Sequence, residues 1–227
     1  QAKNQSGKYF NIFTIPQKLP SDILKNKDLI IGFDSKLFTK KMVNTFFGKS
    51  RCTLMPIKKN LIDKIWKRKI KKKINRFYNL PNYSVGFDYV KKVKKVVSFI
   101  KKQDADYQFI SASENNAWLL NIRGRDTDYT PIPFSYILIN KNKKIKFFCD
   151  LRKINRAFRK KFNCIEFVQI ELVGKVLSNI NKKKFIIDKD TCSYYFENII
   201  LKNNTILSFN DSIYKLKAIK SKEEIQN

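Results

Sequence analysis

Residues Asp106–Asp150 read DYQFISASENNAWLLNIRGRDTDYTPIPFSYILINKNKKIKFFCD, and this stretch decides the fold. It predicts a strand, a short helix, a glycine-punctuated loop, and then two strands in a hairpin. Tyr107–Ser111 is a brief apolar run. Ser113 stands where it can cap the next helix, because a hydroxyl there accepts from the free amides of a first turn. Ala117, Trp118, Leu120 and Ile122 load that helix with apolar groups, and Gly124 sits where a helix can stop in a left-handed turn. Arg123, Arg125, Asp126, Asp128 and Tyr129 then fall in a loop stiffened by Pro131 and Pro133. Phe134–Asn140 and Ile145–Cys149 are rich in β-formers, separated by the polar turn Lys141–Lys144. Charges gathered on a proline-stiffened loop between buried elements often face a partner. The plainer reading is a solvated loop over a core centred on Trp118, and on the residues alone both readings stand.

The same alternation extends in both directions. Upstream, strands are expected over 9–15, 28–33 and 52–57. A helix is expected over 36–47, capped by Asp34-Ser35 and ended by Gly48, and a short one over 60–66. The stretch 67–85 opens with KRKIKKKINR and reads as a linker. Asp88–Lys102 is an amphipathic helix: Val90, Val93, Val96, Val97 and Ile100 form one face, and Lys91, Lys92, Lys94, Lys95, Lys101 and Lys102 fall mainly on the other. Such a helix can lie on a membrane, but a valine stripe ahead of a strand favours packing on a sheet. Downstream, Asp150 is expected to cap a helix running to Phe162, followed by a strand over 165–170 and a helix over 171–181. A strand over 184–188, a helix over 191–202 led by Thr191, a strand over 205–209 and a short helix over 211–217 complete the alternation. Ser221-x-x-Glu224 has the form of a capping box. Strands alternating with helices at this rhythm imply an α/β layered fold, and the hairpin makes its sheet mixed.

Composition narrows the function. The chain has 227 residues, 43% hydrophobic and 14% aromatic, enough for a folded core. No apolar run approaches the length of a membrane span, and the first residues are no signal peptide. The chain is expected to be the interior of a longer protein. Four cysteines without CxxC spacing argue against a zinc ribbon and fit a reducing, cytoplasmic compartment. There is no histidine, which excludes Ser-His-Asp and Cys-His hydrolase chemistry within the chain and any metal site that needs imidazole. The 19 acidic residues scattered among 48 basic ones form no ligand cluster, and no GxGxxG, P-loop or nucleophile elbow is present. A net charge of +29 attracts polyanions. The excess is mostly lysine, accompanied by Asn and Ile, as A/T-rich coding produces; nucleic acid is therefore not the expected principal partner.

AWLLNIRGRDTDYTPIPFSYILI, residues 117–139, resembles the second domain of aminopeptidase P (Xaa-Pro aminopeptidase) of the long, three-domain type. That family shows AWLLN-x-RG-S-D, then Y-x-P, then SY-x-LI; Arg125 stands where the family usually has Ser. NLIDKIW at 60–66 and KAIKSKEEI at 217–225 extend the likeness, the latter resembling the start of the family's catalytic domain. The resemblance implies a creatinase/prolidase amino-terminal-like domain, with a mixed β-sheet flanked by helices, preceded by part of a second similar domain. It divides the chain into the end of a first such domain (1–66), a basic interdomain linker (67–85), a second domain (86–218) and the threshold of a catalytic domain (219–227).

In that family a third, pita-bread domain hydrolyses the bond between an N-terminal residue and proline. It uses two divalent metal ions, usually manganese, held by two Asp, one His and two Glu. The resemblance therefore implies no catalytic residue, metal ligand or cofactor in this chain. It implies a role in walling a cleft; Arg123, Arg125, Asp126 and Tyr129 are then expected to form a substrate-access loop, the alternative being an Arg-Asp pair that only orders it. A guanidinium there would attract peptide carboxylates; Asp126 would meet an α-ammonium or merely hold an arginine in place. The implied partners are a peptide with proline in second position, the chain's own catalytic domain and a second copy in a homodimer, with no membrane. An inactive peptide- or partner-binding module, or a basic nucleic-acid-binding domain, are the alternatives. Trp118 and Trp66 are expected to be core anchors, the latter between the two domains.

Overall fold

The computed structural model describes residues 1–66 and 74–226. The chain divides into two compact units, Gln1–Lys67 and Arg68–Asn227.

The first unit holds α1 (Ala2–Ser6), α2 (Pro20–Leu24), β1 (Ile30–Phe33), α3 (Lys40–Phe47), β2 (Thr53–Pro56) and α4 (Leu61–Ile65). β1 and β2 run parallel and, among the described residues, pair only with each other. Three expectations fail here. Residues 9–15 form no strand: Gly7–Tyr9 is a 3-10 turn, Tyr9 and Phe10 are exposed, and among the described residues no strand pairs with this stretch. The helix expected from 36 begins at 40, because the Thr39 hydroxyl accepts from the Met42 amide at 3.1 Å, whereas the Asp34 carboxylate closes a turn on the Lys36 amide. Trp66 is 60% exposed rather than a buried anchor.

The second unit contains β3 (Tyr78–Asn79), α5 (Tyr89–Lys102), β4 (Tyr107–Ile110), α6 (Ser113–Leu120), β5 (Ile122–Arg123), β6 (Tyr136–Asn140) and β7 (Ile145–Cys149). It continues through α7 (Arg156–Lys161), β8 (Ile165–Gln169), α8 (Val173–Ser178), β9 (Lys184–Ile187), α9 (Tyr194–Leu201), β10 (Thr205–Ser208), α10 (Ser212–Ala218) and α11 (Lys222–Gln226). Six strands form one sheet in the order β10-β9-β4-β6-β7-β8. β6 lies antiparallel between β4 and β7, and the other pairings are parallel, which makes the sheet mixed. β3 and β5 make a separate antiparallel pair.

Side chains alternate across a strand, and here both faces are buried. Ile137, Ile139, Phe147, Cys149 and Ile186 join a core with Val93, Val96, Val97 and Ile100 of α5, Leu119 and Leu120 of α6, Phe158 of α7 and Ile213 of α10. Leu138, Phe148, Phe185 and Ile187 turn to the opposite core, with Val173 and Leu177 of α8 and Phe196 and Ile200 of α9. The result is helices on both faces of the sheet, the α/β layering that the alternating pattern implies. Among the described residues no helix is long and apolar enough to cross a membrane.

Residues 67–73 of the stretch expected as a linker lie outside the described residues. Phe77 within it is buried against Phe147 and Phe158, and its amide donates to the Lys153 carbonyl at 3.0 Å. Three helix caps in this unit also differ from expectation. Ser113 does not cap α6; its hydroxyl donates to the Ser135 carbonyl at 3.2 Å. The helix expected from Asp150 to Phe162 is split into a 3-10 turn capped by Asp150 and α7 capped by Asn155. α9 is capped by Ser193, since the Thr191 hydroxyl is engaged with Ser111 at 2.8 Å.

Candidate functional site

The loop after α6 is built on a helix end that the sequence reading misplaces. α6 stops at Asn121, in the left-handed conformation (φ 55°, ψ 30°), three residues before Gly124. Asparagine tolerates that conformation because its short amide can bond locally. The Asn121 backbone carbonyl accepts from the Asn79 side chain at 3.1 Å, and the Asn121 side-chain amide donates to the Phe87 carbonyl at 3.0 Å. Gly124 serves close packing instead: a Cβ there would lie 2.8 Å from Pro133 Cα, and its amide donates to the Pro131 carbonyl at 3.2 Å. A bridge between Thr127 and Thr130 tightens the tip, leaving Tyr129 at positive φ and fully exposed.

The four loop residues singled out from the sequence separate into two pairs. Arg123 is half-buried in β5, and its Nη1 donates to the carbonyls of Ala117 and Ile122, both at 3.0 Å. Burial pulls its pKa down, partly offset by Tyr78. The Asp126 side chain is 4% exposed, ion-paired with Lys153, and accepts from the Phe134 amide at 2.7 Å. Its ion-pair partner is thus a lysine, not the arginine that one of the two readings gave it. Arg125 and Tyr129 face outward. The Arg125 guanidinium lies 5.8 Å from the Tyr78 ring, and with Asn75, Asp128, Tyr129 and Pro131 these residues line an open groove of about 430 Å³.

Sequence reading also misses a residue beneath the loop. Lys92, assigned to the wet face of α5, is 2% exposed. Its ammonium donates to the Trp118 carbonyl at 3.0 Å and to Asn121 Oδ1 at 2.6 Å, and stands 4.1 Å from the centre of the Trp118 ring. Burial lowers its pKa to about 8, against a raising effect from Glu224. The signal lay in the spacing: Lys92, Val96 and Ile100 share one i, i+4, i+8 row. Val90, expected inside, is exposed.

A metal centre does not fit these residues. The sequence holds no histidine, and among the described residues no group of three or more Cys, Asp or Glu is gathered to hold an ion.

Comparison with known proteins places this geometry in a family. Residues 68–224 match the model of the creatinase/prolidase N-terminal domain. Xaa-Pro aminopeptidase ApepP of Drosophila melanogaster is 31% identical over 212 residues, covering 88% of this chain and 34% of the relative. Xaa-Pro aminopeptidase 1 of Dictyostelium discoideum is 29% identical over 215 residues, with the same two shares, 88% and 34%. The solved X-prolyl aminopeptidase of Caenorhabditis elegans, described as a cytosolic enzyme with a di-nuclear active site, superimposes with a TM-score of 0.78 at 24% identity. That match covers 87% of this chain and 34% of the worm protein, and it shows the fold. The chain thus spans about a third of the length of the relatives it matches. With residues 68–224 matched and both faces of its sheet buried under helices, the chain belongs to the creatinase/prolidase N-terminal domain family.

Proposed function

We propose that this chain is the non-catalytic amino-terminal region of a metal-dependent Xaa-Pro aminopeptidase, an enzyme that removes the N-terminal residue preceding proline. The observation that carries the reading is the 31% identity over 212 residues to a relative bearing that name. Hydrolysis belongs to a catalytic domain outside these residues, where two divalent metal ions, manganese by the family resemblance, do their chemistry. The absence of histidine in this chain supports that division. A cytoplasmic location follows the description of the worm enzyme as cytosolic. The partners are a peptide with proline in second position, the catalytic domain of the same polypeptide and a second copy in a homodimer.

The part of this chain is to wall the cleft and restrict entry to a free peptide end. Within the access loop, Arg125 and Tyr129 meet the peptide, while Arg123 and Asp126 hold the loop in shape. An exposed guanidinium beside an aromatic ring can attract a peptide carboxylate and stack on its amide planes.

The test compares the purified 227-residue chain with a longer polypeptide that joins it to the catalytic domain, both supplied with manganese and an Xaa-Pro peptide. The longer protein is expected to cleave the peptide and the chain alone to leave it intact. Cleavage by the chain alone would overturn the reading. An inert longer protein that still binds the peptide would make this a binding module instead.

A further inference from the structure

The buried ammonium of Lys92 sits at a helix end on which several other segments of the second unit meet. Lys92 reaches from α5 to the end of α6, where it donates to the Trp118 carbonyl and the Asn121 side chain. Asn121 in turn holds β3 through Asn79 and the turn before α5 through Phe87. The next residues are Ile122 and Arg123 of β5, and Arg123 covers the Ala117 carbonyl of the same helix end. Two cations therefore meet the negative end of one helix, which favours positive charge. On its other side the Trp118 indole donates to Glu224 Oε1 at 3.4 Å. Glu224 closes a reciprocal cap with Ser221, its carboxylate accepting from the Ser221 amide at 3.0 Å and its amide donating to the Ser221 hydroxyl at 3.2 Å. The Gly86 turn (φ 61°) packs so closely on this cap that a Cβ there would lie 2.0 Å from the Ser221 hydroxyl.

We propose that Lys92 is a positioning residue: by fixing the end of α6 it sets, together, the launch of the 123–131 loop and the seat of α11. The loop begins two residues after Asn121, and α11 is bonded by the indole of Trp118, whose backbone carbonyl Lys92 binds. Both segments are referred to the same helix end, the loop through Asn121 and α11 through Trp118. Lys92 is too deeply buried to act as a nucleophile or to be modified. The charged groups acting on it are Glu224 from α11, Arg123 from β5 and Asp88 at the head of its own helix. Its pKa near 8 places loss of the charge within reach of a mild alkaline titration. The inference rests on packing within this chain; only its consequence for peptide entry rests on the aminopeptidase reading.

Amide hydrogen exchange on the 227-residue chain tests it without any catalytic readout. Loss of one bridging hydrogen-bond donor corresponds to about a tenfold shift in a local opening equilibrium. In Lys92→Met, exchange is expected to quicken about that much in both 123–131 and 221–226, with β4, β6 and β9 unchanged. A uniform change across the unit, or a change in only one of the two segments, would overturn the proposal. If Lys92→Met does not fold, Trp118→Phe removes the indole N–H but keeps the carbonyl that Lys92 binds. It is expected to loosen 221–226 and leave 123–131 as it was; loosening of neither would also overturn the proposal. In a Trp66→Phe background, the fluorescence of Trp118 is expected to titrate with a midpoint near pH 8. A flat profile between pH 7 and 10 would count against it, and loss of the profile in Lys92→Met would assign it to Lys92.

Discussion

Replacing Asp126 separates an ordering role from a ligand-contacting one. The carboxylate is 4% exposed and its partner Lys153 only 16%. It also accepts from the Phe134 amide at 2.7 Å, tying the loop to the lead-in of β6. The Lys153 ammonium lies 5.7 Å from the Phe77 ring, and the Lys153 carbonyl receives the Phe77 amide, so the pair fastens the loop to the turn after β7 and to the start of β3. Asp126→Ala removes both acceptor functions. Breaking a buried ion pair by deleting one partner costs about 3–5 kcal/mol. Lys153 can swing partly into water, so the lower end applies, about 3 kcal/mol. Asp126→Asn keeps an oxygen for the Phe134 amide and is expected to cost about 2 kcal/mol, mostly from the stranded ammonium. Lys153→Met in the Asp126→Asn background removes that ammonium, so the double variant should recover most of the loss, a coupling of about 1–2 kcal/mol. Urea unfolding followed by Trp118 fluorescence in a Trp66→Phe background measures the parent, the two Asp126 variants, Lys153→Met alone and the double variant. Binding sites are usually built at some expense to stability, so a carboxylate held for a ligand would cost little on removal. A loss below about 1 kcal/mol for Asp126→Ala, or coupling below about 0.5 kcal/mol, would refute the ordering role.

Three further outcomes follow from other residues. Lys92 has a folded pKa lowered from 10.5 to about 8, so between those values the unfolded chain binds the extra proton. Stability should therefore rise with pH across that window relative to Lys92→Met, in denaturant titrations at pH 7.5 and 9.5; a parallel response in the two proteins would be the contrary result. A methyl at Gly124 would press on the Pro133 backbone at 2.8–3.0 Å, where neither side can yield cheaply. Gly124→Ala should lower stability by about 1–3 kcal/mol in thermal melts, and an unchanged melt would show the loop able to move aside. Trp66→Ala should change stability by under about 1 kcal/mol, since the ring is 60% exposed, whereas Trp118→Ala, stripped of its ring contact with Lys92 and its bond to Glu224, should cost about 2–4 kcal/mol.

Element identity was legible wherever periodicity and length agreed. The valine row of α5, the β-rich runs flanking Lys141–Lys144 and the alternation of Phe147, Phe148 and Cys149 all encode burial directly. The Ser221–Glu224 cap is also as the motif predicts. Boundaries failed where several groups could cap the same turn. Asp34, Ser113, Asp150 and Thr191 each have the right chemistry, but Thr39, Asn155 and Ser193 stand at the helix starts they were expected to cap, while Ser113 and Thr191 bind Ser135 and Ser111 from distant parts of the chain. Local sequence does not carry such long-range partners. Lys92 failed for a different reason: residue type was weighed above phase. A long aliphatic stem lets lysine occupy a core row if its ammonium finds oxygens at the end, and α6 supplies two of them.

The loop illustrates why charge density is a poor guide to what a segment touches. Arg123 and Asp126 carry as much charge as their neighbours, yet each is bonded to backbone groups, Arg123 to the Ala117 and Ile122 carbonyls and Asp126 to the Phe134 amide. A helix end and a strand lead-in present orphan carbonyls and amides, and a charged side chain answers them more strongly than a neutral one. Those two residues are thus engaged within the chain itself. The outward pair, Arg125 and Tyr129, is held in place by the inward pair and by the Thr127–Thr130 bridge. Arg125 also occupies the position where the resembled pattern has a neutral serine. Any attraction for an anionic peptide end that this loop adds should therefore reside in Arg125, and should weaken with salt, because an exposed guanidinium is screened where a buried pair is not.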